Sequence, residues 1–244
     1  LIVDFNQNIK ERFLEVILLI VLLTVYSAAN SQNFSEEDQA EINSLTAILS
    51  DPTSHDTLIA NTYNKLSDIL YFNYLDTVKY LSDQSISVSK SGLETNPSAM
   101  EKHSFTKSLA NAYLNLGYFY GEKGNTIEQL NYFDQALQIQ KDIGNEKGIA
   151  DCLINIGRLQ EDQGNIPEAL DNYYQSLNIY EKIDDKRGIA ISLNNLANLF
   201  ENQGDFEKAL EFYFQSLEIR EKHLGKIDVA RVLNNIGYNY GQQG

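Results

Sequence analysis

The chain repeats itself every forty residues. Set in rows that begin at residues 107, 147, 187 and 227, four columns hold through all of them. They are Ala110, Ala150, Ala190 and Ala230; Asn115, Asn155, Asn195 and Asn235; Leu116, Ile156, Leu196 and Ile236; and Gly124, Gly164, Gly204 and Gly244. The three complete rows, 107–146, 147–186 and 187–226, also match in their second halves, through Leu130/Leu170/Leu210, Phe133/Tyr173/Tyr213, Leu137/Leu177/Leu217 and Ile139/Ile179/Ile219. Row four, 227–244, carries only the first half. A repeat of this length cannot bury an apolar face alone and must stack on its neighbours. A fold with a single central core is therefore excluded for this part of the chain.

Each row reads as two helices. In row two, Ala150, Leu153, Ile156, Gly157 and Gln160 share one helical face. Gly164-Asn165 ends that helix with a residue that tolerates left-handed backbone. Pro167 sits at the opening of the next helix, where a missing N–H costs nothing. The second helix carries Ala169, Leu170, Tyr173, Ser176, Leu177 and Tyr180 at spacings of three and four. It ends near Ile183, and residues 184–188 form a polar connection.

The pattern resembles the tetratricopeptide repeat (TPR). The family's large, leucine-glycine, aromatic, small, aromatic, small order falls in row two on Leu153, Ile156-Gly157, Gln160, Ala169, Tyr173 and Ser176. In row three it falls on Leu193, Leu196-Ala197, Phe200, Ala209, Tyr213 and Ser216, and in row one on Tyr113, Leu116-Gly117, Tyr120, Gln129, Phe133 and Ala136. Small residues let two helices approach, and aromatics fill the space beside them. Gln129 and Gln160 depart from the pattern. The family's closing proline is replaced by Glu181 and Glu221, and the longer period resembles the variant of kinesin light chain and Pins-like adaptors. The resemblance implies an all-α fold: a TPR-type superhelical solenoid of antiparallel helix hairpins.

Upstream the signal weakens. Ala60, Tyr63, Leu66 and Leu70, then Val78, Leu81, Ser85, Ile86 and Val88, make 56–90 a degenerate TPR-like hairpin. Residues 32–55 are expected to hold one N-terminal helix, with Ser35 capping and Asp38 three residues on. Residues 91–106, with Gly92 and Pro97, read as a linker. Residues 1–31 order themselves as a signal peptide: Lys10 and Arg12, the apolar run from Val16 to Val25, then Ser27-Ala28-Ala29. The run is shorter than the roughly 20 apolar residues of a comfortable membrane span. Glu11 and Glu15 keep a signal anchor open, with membrane attachment through residues 13–26 or a segment beyond 244, and a buried helix is the third reading. The expected location is exported, periplasmic or extracytoplasmic.

Chemistry of catalytic kind is not legible. His55, His103 and His223 are scattered, without partners at metal spacing. One cysteine, Cys152, excludes a disulfide framework within the chain. The glycines of Gly117-x-x-x-Gly121-x-x-Gly124 belong to repeat columns, with no preceding strand and no Gly-Lys-Ser/Thr. No cofactor, no metal and no enzymatic activity are expected within these residues. A net charge of −15 argues against nucleic-acid binding by this segment.

What remains is a surface. In this family the first helices line the inside of the superhelix, where peptides lie. Counted from each row's alanine, the sixth position is Asn115, Asn155, Asn195 and Asn235. An amide both donates and accepts, so it can pair with a peptide backbone whatever the side chains are. The same amide can instead brace the adjacent helix. Other inward positions vary by row: Tyr118, Arg158, Asn198 and Tyr238 at the ninth, and Asp151 and Arg231 at the second. Tyrosine and arginine are common interface anchors. Chaperone-binding relatives hold a terminal carboxylate with two lysines, and no lysine occupies these positions here. Arg158 and Arg231 remain able to meet an acidic group.

The expected partner is thus a protein or peptide ligand in the concave groove of an exported scaffold. The alternative is the sensory N-terminal part of a membrane-bound bacterial signalling protein. Its histidine kinase, nucleotide cyclase or DNA-binding regulator would follow residue 244.

Overall fold

The computed structural model describes residues 34–71 and 74–243. The expected signal peptide lies outside the described residues. Among the described residues ten helices follow one another: α1 (Glu36–Ser50), α2 (Asp56–Leu70), α3 (Leu75–Glu94), α4 (Ala99–Glu122), α5 (Thr126–Asp142), α6 (Glu146–Asp162), α7 (Ile166–Lys182), α8 (Lys186–Asn202), α9 (Phe206–His223) and α10 (Lys226–Gln243). No strand occurs among the described residues. The fold is an all-α solenoid of antiparallel helix hairpins, and it divides at Asn125 into two compact units.

In the first unit α2 packs on α1, α3 and α4. Its core joins Ile42, Leu45 and Leu49 of α1 to Ile59, Tyr63, Leu66 and Leu70 of α2 and to Leu81 of α3. Ser35 caps α1: its Oγ accepts from Asp38 N at 3.0 Å and donates to Asp38 Oδ2 at 2.6 Å. The carboxylate thus reaches the hydroxyl rather than the Ser35 backbone.

The linker expected over 91–106 is much shorter. Helix α3 runs to Glu94 and α4 starts at Ala99, leaving only residues 95–98 outside a helix. A reciprocal capping box explains the early start. Glu101 N donates to Ser98 Oγ at 3.3 Å, and Ser98 N donates to Glu101 Oε2 at 2.8 Å. Pro97 stands just before this cap. Gly92 is internal to α3, where it makes room for Phe105: a Cβ there would lie 2.2 Å from the ring.

In the second unit each helix packs on the next from α5 to α10, and first helix α6 also touches first helix α8. Small residues and aromatics interlock as their columns require. Ala169, Tyr173, Leu196 and Leu199 form one cluster, and Ala197, Ala209, Tyr213, Val232 and Ile236 another. A serine of the second helix also reaches back to the first. Ser176 Oγ donates to Ala150 O at 3.1 Å, and Ser216 Oγ donates to Ala190 O at 2.8 Å. The α2–α3 hairpin carries the same bond, Ser85 Oγ to Ala60 O at 2.9 Å. Gln160, which departs from the family pattern, accepts from Asn172 Nδ2 at 2.6 Å.

The turns within hairpins close alike. Gly124, Gly164 and Gly204 take φ of 71°, 78° and 80°. The next residue's N–H reaches back five residues, as from Asn165 N to Gln160 O at 2.8 Å. Between hairpins the left-handed position is Gly144 at φ 64° and Asp184 at φ 57°.

Candidate peptide-binding face

The first unit holds Asn115 and Tyr118, both on α4. Asn115 is buried, and its Nδ2 donates to Asp68 Oδ1 on α2 at 3.0 Å. Burial raises the Asp68 pKa above the ordinary carboxylate value, and the Asn115 bond opposes this. At this position the amide braces the neighbouring helix. Tyr118 is half-buried and meets Tyr71 edge-on, with ring centroids 5.8 Å apart.

The remaining expected residues lie in the second unit. On α6, Asp151 accepts a hydrogen bond from the Tyr180 hydroxyl. Its pKa is raised by burial, while Tyr180 and Lys147 pull the other way. Asn155 is buried and Arg158 exposed. On α8, Asn198 Oδ1 accepts from the Tyr213 hydroxyl at 2.5 Å. On α10, Arg231 and Tyr238 are exposed, and Asn235 is half-buried.

The asparagine column is not uniform. Asn235 Nδ2 donates to Asn194 Oδ1 on the preceding first helix at 3.0 Å, the counterpart of the Asn115–Asp68 bond. Asn195 Nδ2 is buried and has no hydrogen-bond partner. The reason lies one repeat upstream: Asn194's counterpart in row two is Ile154, a buried side chain with no oxygen to offer. Leaving a buried donor unpaired costs about 1–3 kcal/mol.

Asn195, Asn235 and Arg231 come together in an open cleft between α8 and α10. Its volume is about 680 Å³, the size of a small-ligand or side-chain site. Ile191, Asn194 and Asn234 also line it. Asp151, Asn155, Arg158, Asn198 and Tyr238 do not belong to this cleft. Lining residues given no site role in the sequence include Arg187, Arg220, Ile227 and Asp228. The signal was present in two columns. Gln140, Tyr180 and Arg220 are equivalent, as are Gly148, Gly188 and Asp228, so an arginine at the end of row three meets an aspartate at the start of row four.

Other reactive groups are held in structural roles. Cys152 is fully buried, and burial, with Asp151 next, pushes its thiol up to about 12. His55 Nε2 lies 3.0 Å from Glu101 Oε1 at the surface. Among the described residues no group of His, Cys, Asp and Glu is arranged to hold a metal ion. None of their helices is long and apolar enough to cross a membrane.

Stacked hairpins with an amide-lined first-helix face define an α-helical repeat protein. The tetratricopeptide repeat family model matches residues 108–182 and 183–244, more than half of the chain, and the chain belongs to that family. Such proteins are generally non-enzymatic scaffolds that bind proteins or peptides. Solved structures with a similar fold are distant in sequence. BtubC (BKLC) from P. vanneervenii has a TM-score of 0.63 at 17% identity, over 84% of this chain and 81% of that one. Aspartyl phosphate phosphatase F from Bacillus subtilis has a TM-score of 0.65 at 12% identity, over 80% of this chain and 52% of that one. A signal transduction ATPase with numerous domains and a tetratricopeptide repeat sensor, from Pyrococcus horikoshii, has a TM-score of 0.62 at 15% identity, over 96% of this chain and 32% of that one. No curated protein matches the chain.

Proposed function

We propose that the chain is a protein-binding scaffold that takes an extended peptide segment along its first-helix face. The observation that carries this reading is the cleft between α8 and α10, where Asn194, Asn195, Asn234 and Asn235 surround the exposed Ile191. Amides there offer backbone-matching donors and acceptors, and Ile191 offers an apolar anchor. The experiment is a selection of displayed random peptides on the full chain, followed by Ile191→Trp to fill the cleft. Phe214→Ala is the control, an exposed side chain on second helix α9. Binders lost with Ile191→Trp and kept with Phe214→Ala support the reading; the reverse pattern contradicts it.

The second reading makes this array the sensory part of an exported or membrane-attached signalling protein. Its support is twofold: the signal-like order of residues 1–31, and the likeness of 96% of this chain to a part of an ATPase that carries a repeat sensor. Alkaline phosphatase fused after residue 50 becomes active if the N-terminal segment directs export, and stays inactive if it does not. Coding sequence beyond residue 244 that specifies an apolar span and a kinase or cyclase supports the sensor. A stop after one or two further repeats contradicts it.

A further inference from the structure

Helix α10 packs inward through Val232 and Ile236 and leaves a second stripe open. That stripe is Ala230, Leu233, Gly237 and Tyr240, all exposed, with Leu233 at 48% and Tyr240 at 53%. The same columns are closed in the two preceding first helices. Ala190, Leu193 and Ala197 of α8 are buried, as are Ala150, Leu153 and Gly157 of α6. What closes them is a second helix. Ala197 packs with Ala209 and Tyr213 of α9, and a Cβ at Gly157 would lie 2.8 Å from the Tyr173 ring of α7. At Gly237 nothing lies within 4 Å of the Cβ position, so the equivalent space is open. Ala230 also borders the α8–α10 cleft, whereas Leu233, Gly237 and Tyr240 lie outside it.

The stripe is spaced by three, four and three residues, the seam spacing of paired helices. It also alternates in size: small, large, small, large. Turned about a two-fold axis at residue 235, it meets itself with every large side chain against a small one. Tyr240 falls opposite Ala230 of a second copy and Leu233 opposite its Gly237, and the symmetry makes each contact twice. Parallel pairing would instead set tyrosine on tyrosine and glycine on glycine. Small residues let the two helices approach closely, as they do within each hairpin. Charge does not oppose the pairing. Helix α10 carries Lys226, Asp228 and Arg231 and no charged residue from 232 to 243, in a chain of net charge −15. The antiparallel order holds the two charged segments at opposite ends.

We propose that this stripe is a self-association surface, on which a second copy of the chain seats its own α10 antiparallel. The inference is independent of the peptide-binding reading, because it concerns a different face of the helix. Each copy contributes one helix face, so the contact is small, below about 1,200 Å² in total. The dimer is correspondingly weak, with Kd about 10 µM or higher.

Sedimentation equilibrium of the full chain, over roughly 1 to 500 µM, brackets that affinity. The expected result is a monomer at the dilute end that passes to a dimer. Leu233→Lys and Gly237→Glu, both at exposed positions, each weaken the dimer about tenfold or more and leave Tm within a degree or two of the wild type. Register is read by mixing a Leu233→Glu chain with a Gly237→Lys chain. Their mixed dimer has one native Leu233–Gly237 contact and one pair of opposite charges, so it forms more tightly than either variant with itself. A mixture that associates no better than its components overturns the antiparallel seam. A chain that is monomeric throughout overturns the proposal. So does association that survives Leu233→Lys, since it arises elsewhere in the chain. A peptide of Phe206–His223, the second helix of row three, tests the competing occupant. If the chain stays monomeric and binds that peptide, the stripe takes a second-type helix and not another copy of α10.

Discussion

The ring of Tyr180 occupies the space that a side chain at Gly188 would need. A Cβ at Gly188 would lie 2.1 Å from Tyr180 Cδ1, in contact with the rigid body of a fully buried ring. Gly188→Ala therefore costs about 1–3 kcal/mol, the usual range for overpacking a closed core. Gly148→Ala costs less, because its nearest neighbours are the flexible side-chain ends of Gln140 and Asn145. Thermal melts of the two variants give the ranking directly; equal losses contradict it.

Asp184 holds left-handed backbone at φ 57°, where the preceding repeat has Gly144. An L side chain there is strained by about 1 kcal/mol. Asp184 also pairs with Lys186 at 2.5 Å, but both belong to an exposed turn, where an ion pair contributes little. Asp184→Gly is expected to stabilise by about 0.5 kcal/mol or more, after the entropic cost of glycine in the unfolded chain is deducted. Denaturant midpoints check the sign, and a clear loss of stability would show that the ion pair outweighs the strain.

The Asp151 carboxyl is raised above its model-compound value of 3.8 by burial, against the Tyr180 hydroxyl bond. A raised folded-state pKa means that the folded chain binds the proton more tightly than the unfolded chain. The contribution is favourable below 3.8 and is lost as pH rises through the folded value. Asp151→Asn keeps an oxygen for Tyr180 and removes the charge. It should raise Tm at pH 7, and its advantage should shrink as pH falls toward 4. A constant difference across pH contradicts this assignment.

Cys152 is buried with its thiol pushed up to about 12. Thiolate is the reactive form. A disulfide reagent at pH 8 should leave the folded chain nearly untouched and react at once in denaturant. Fast labelling of the native chain contradicts this burial.

Much of this fold is legible in the sequence because the forces that make it are local and repeated. Glycine columns set the turns, and small–aromatic columns set the hairpin contacts, so Gly164 and the Ala169–Tyr173 pair could be read directly. Helix α4 began earlier than expected because the Ser98–Glu101 capping box outweighed the loop-like composition of 91–106. The cleft was only partly legible. Asn195, Asn235 and Arg231 follow from helical spacing. Arg220 enters from a second helix, and its role depends on Asp228 replacing a glycine one repeat along. Nor does an amide's spacing reveal its partner: Asn115 finds Asp68, Asn235 finds Asn194, and Asn195 meets Ile154's row with no acceptor.

That asymmetry gives the most direct test of the account, the affinity of Asn195→Ala for peptides selected on the wild-type chain. The variant loses no protein hydrogen bond through the nitrogen and removes a buried donor that has no partner, so it should melt no lower than the wild type. Binding should weaken about tenfold or more, as expected for a lost contact worth about 1.4 kcal/mol. Asn115→Ala is the contrast, because it leaves Asp68 unpaired and should lower Tm. Unchanged affinity in a correctly folded Asn195→Ala chain would contradict the claim that the ligand lies in the cleft that Asn195 lines.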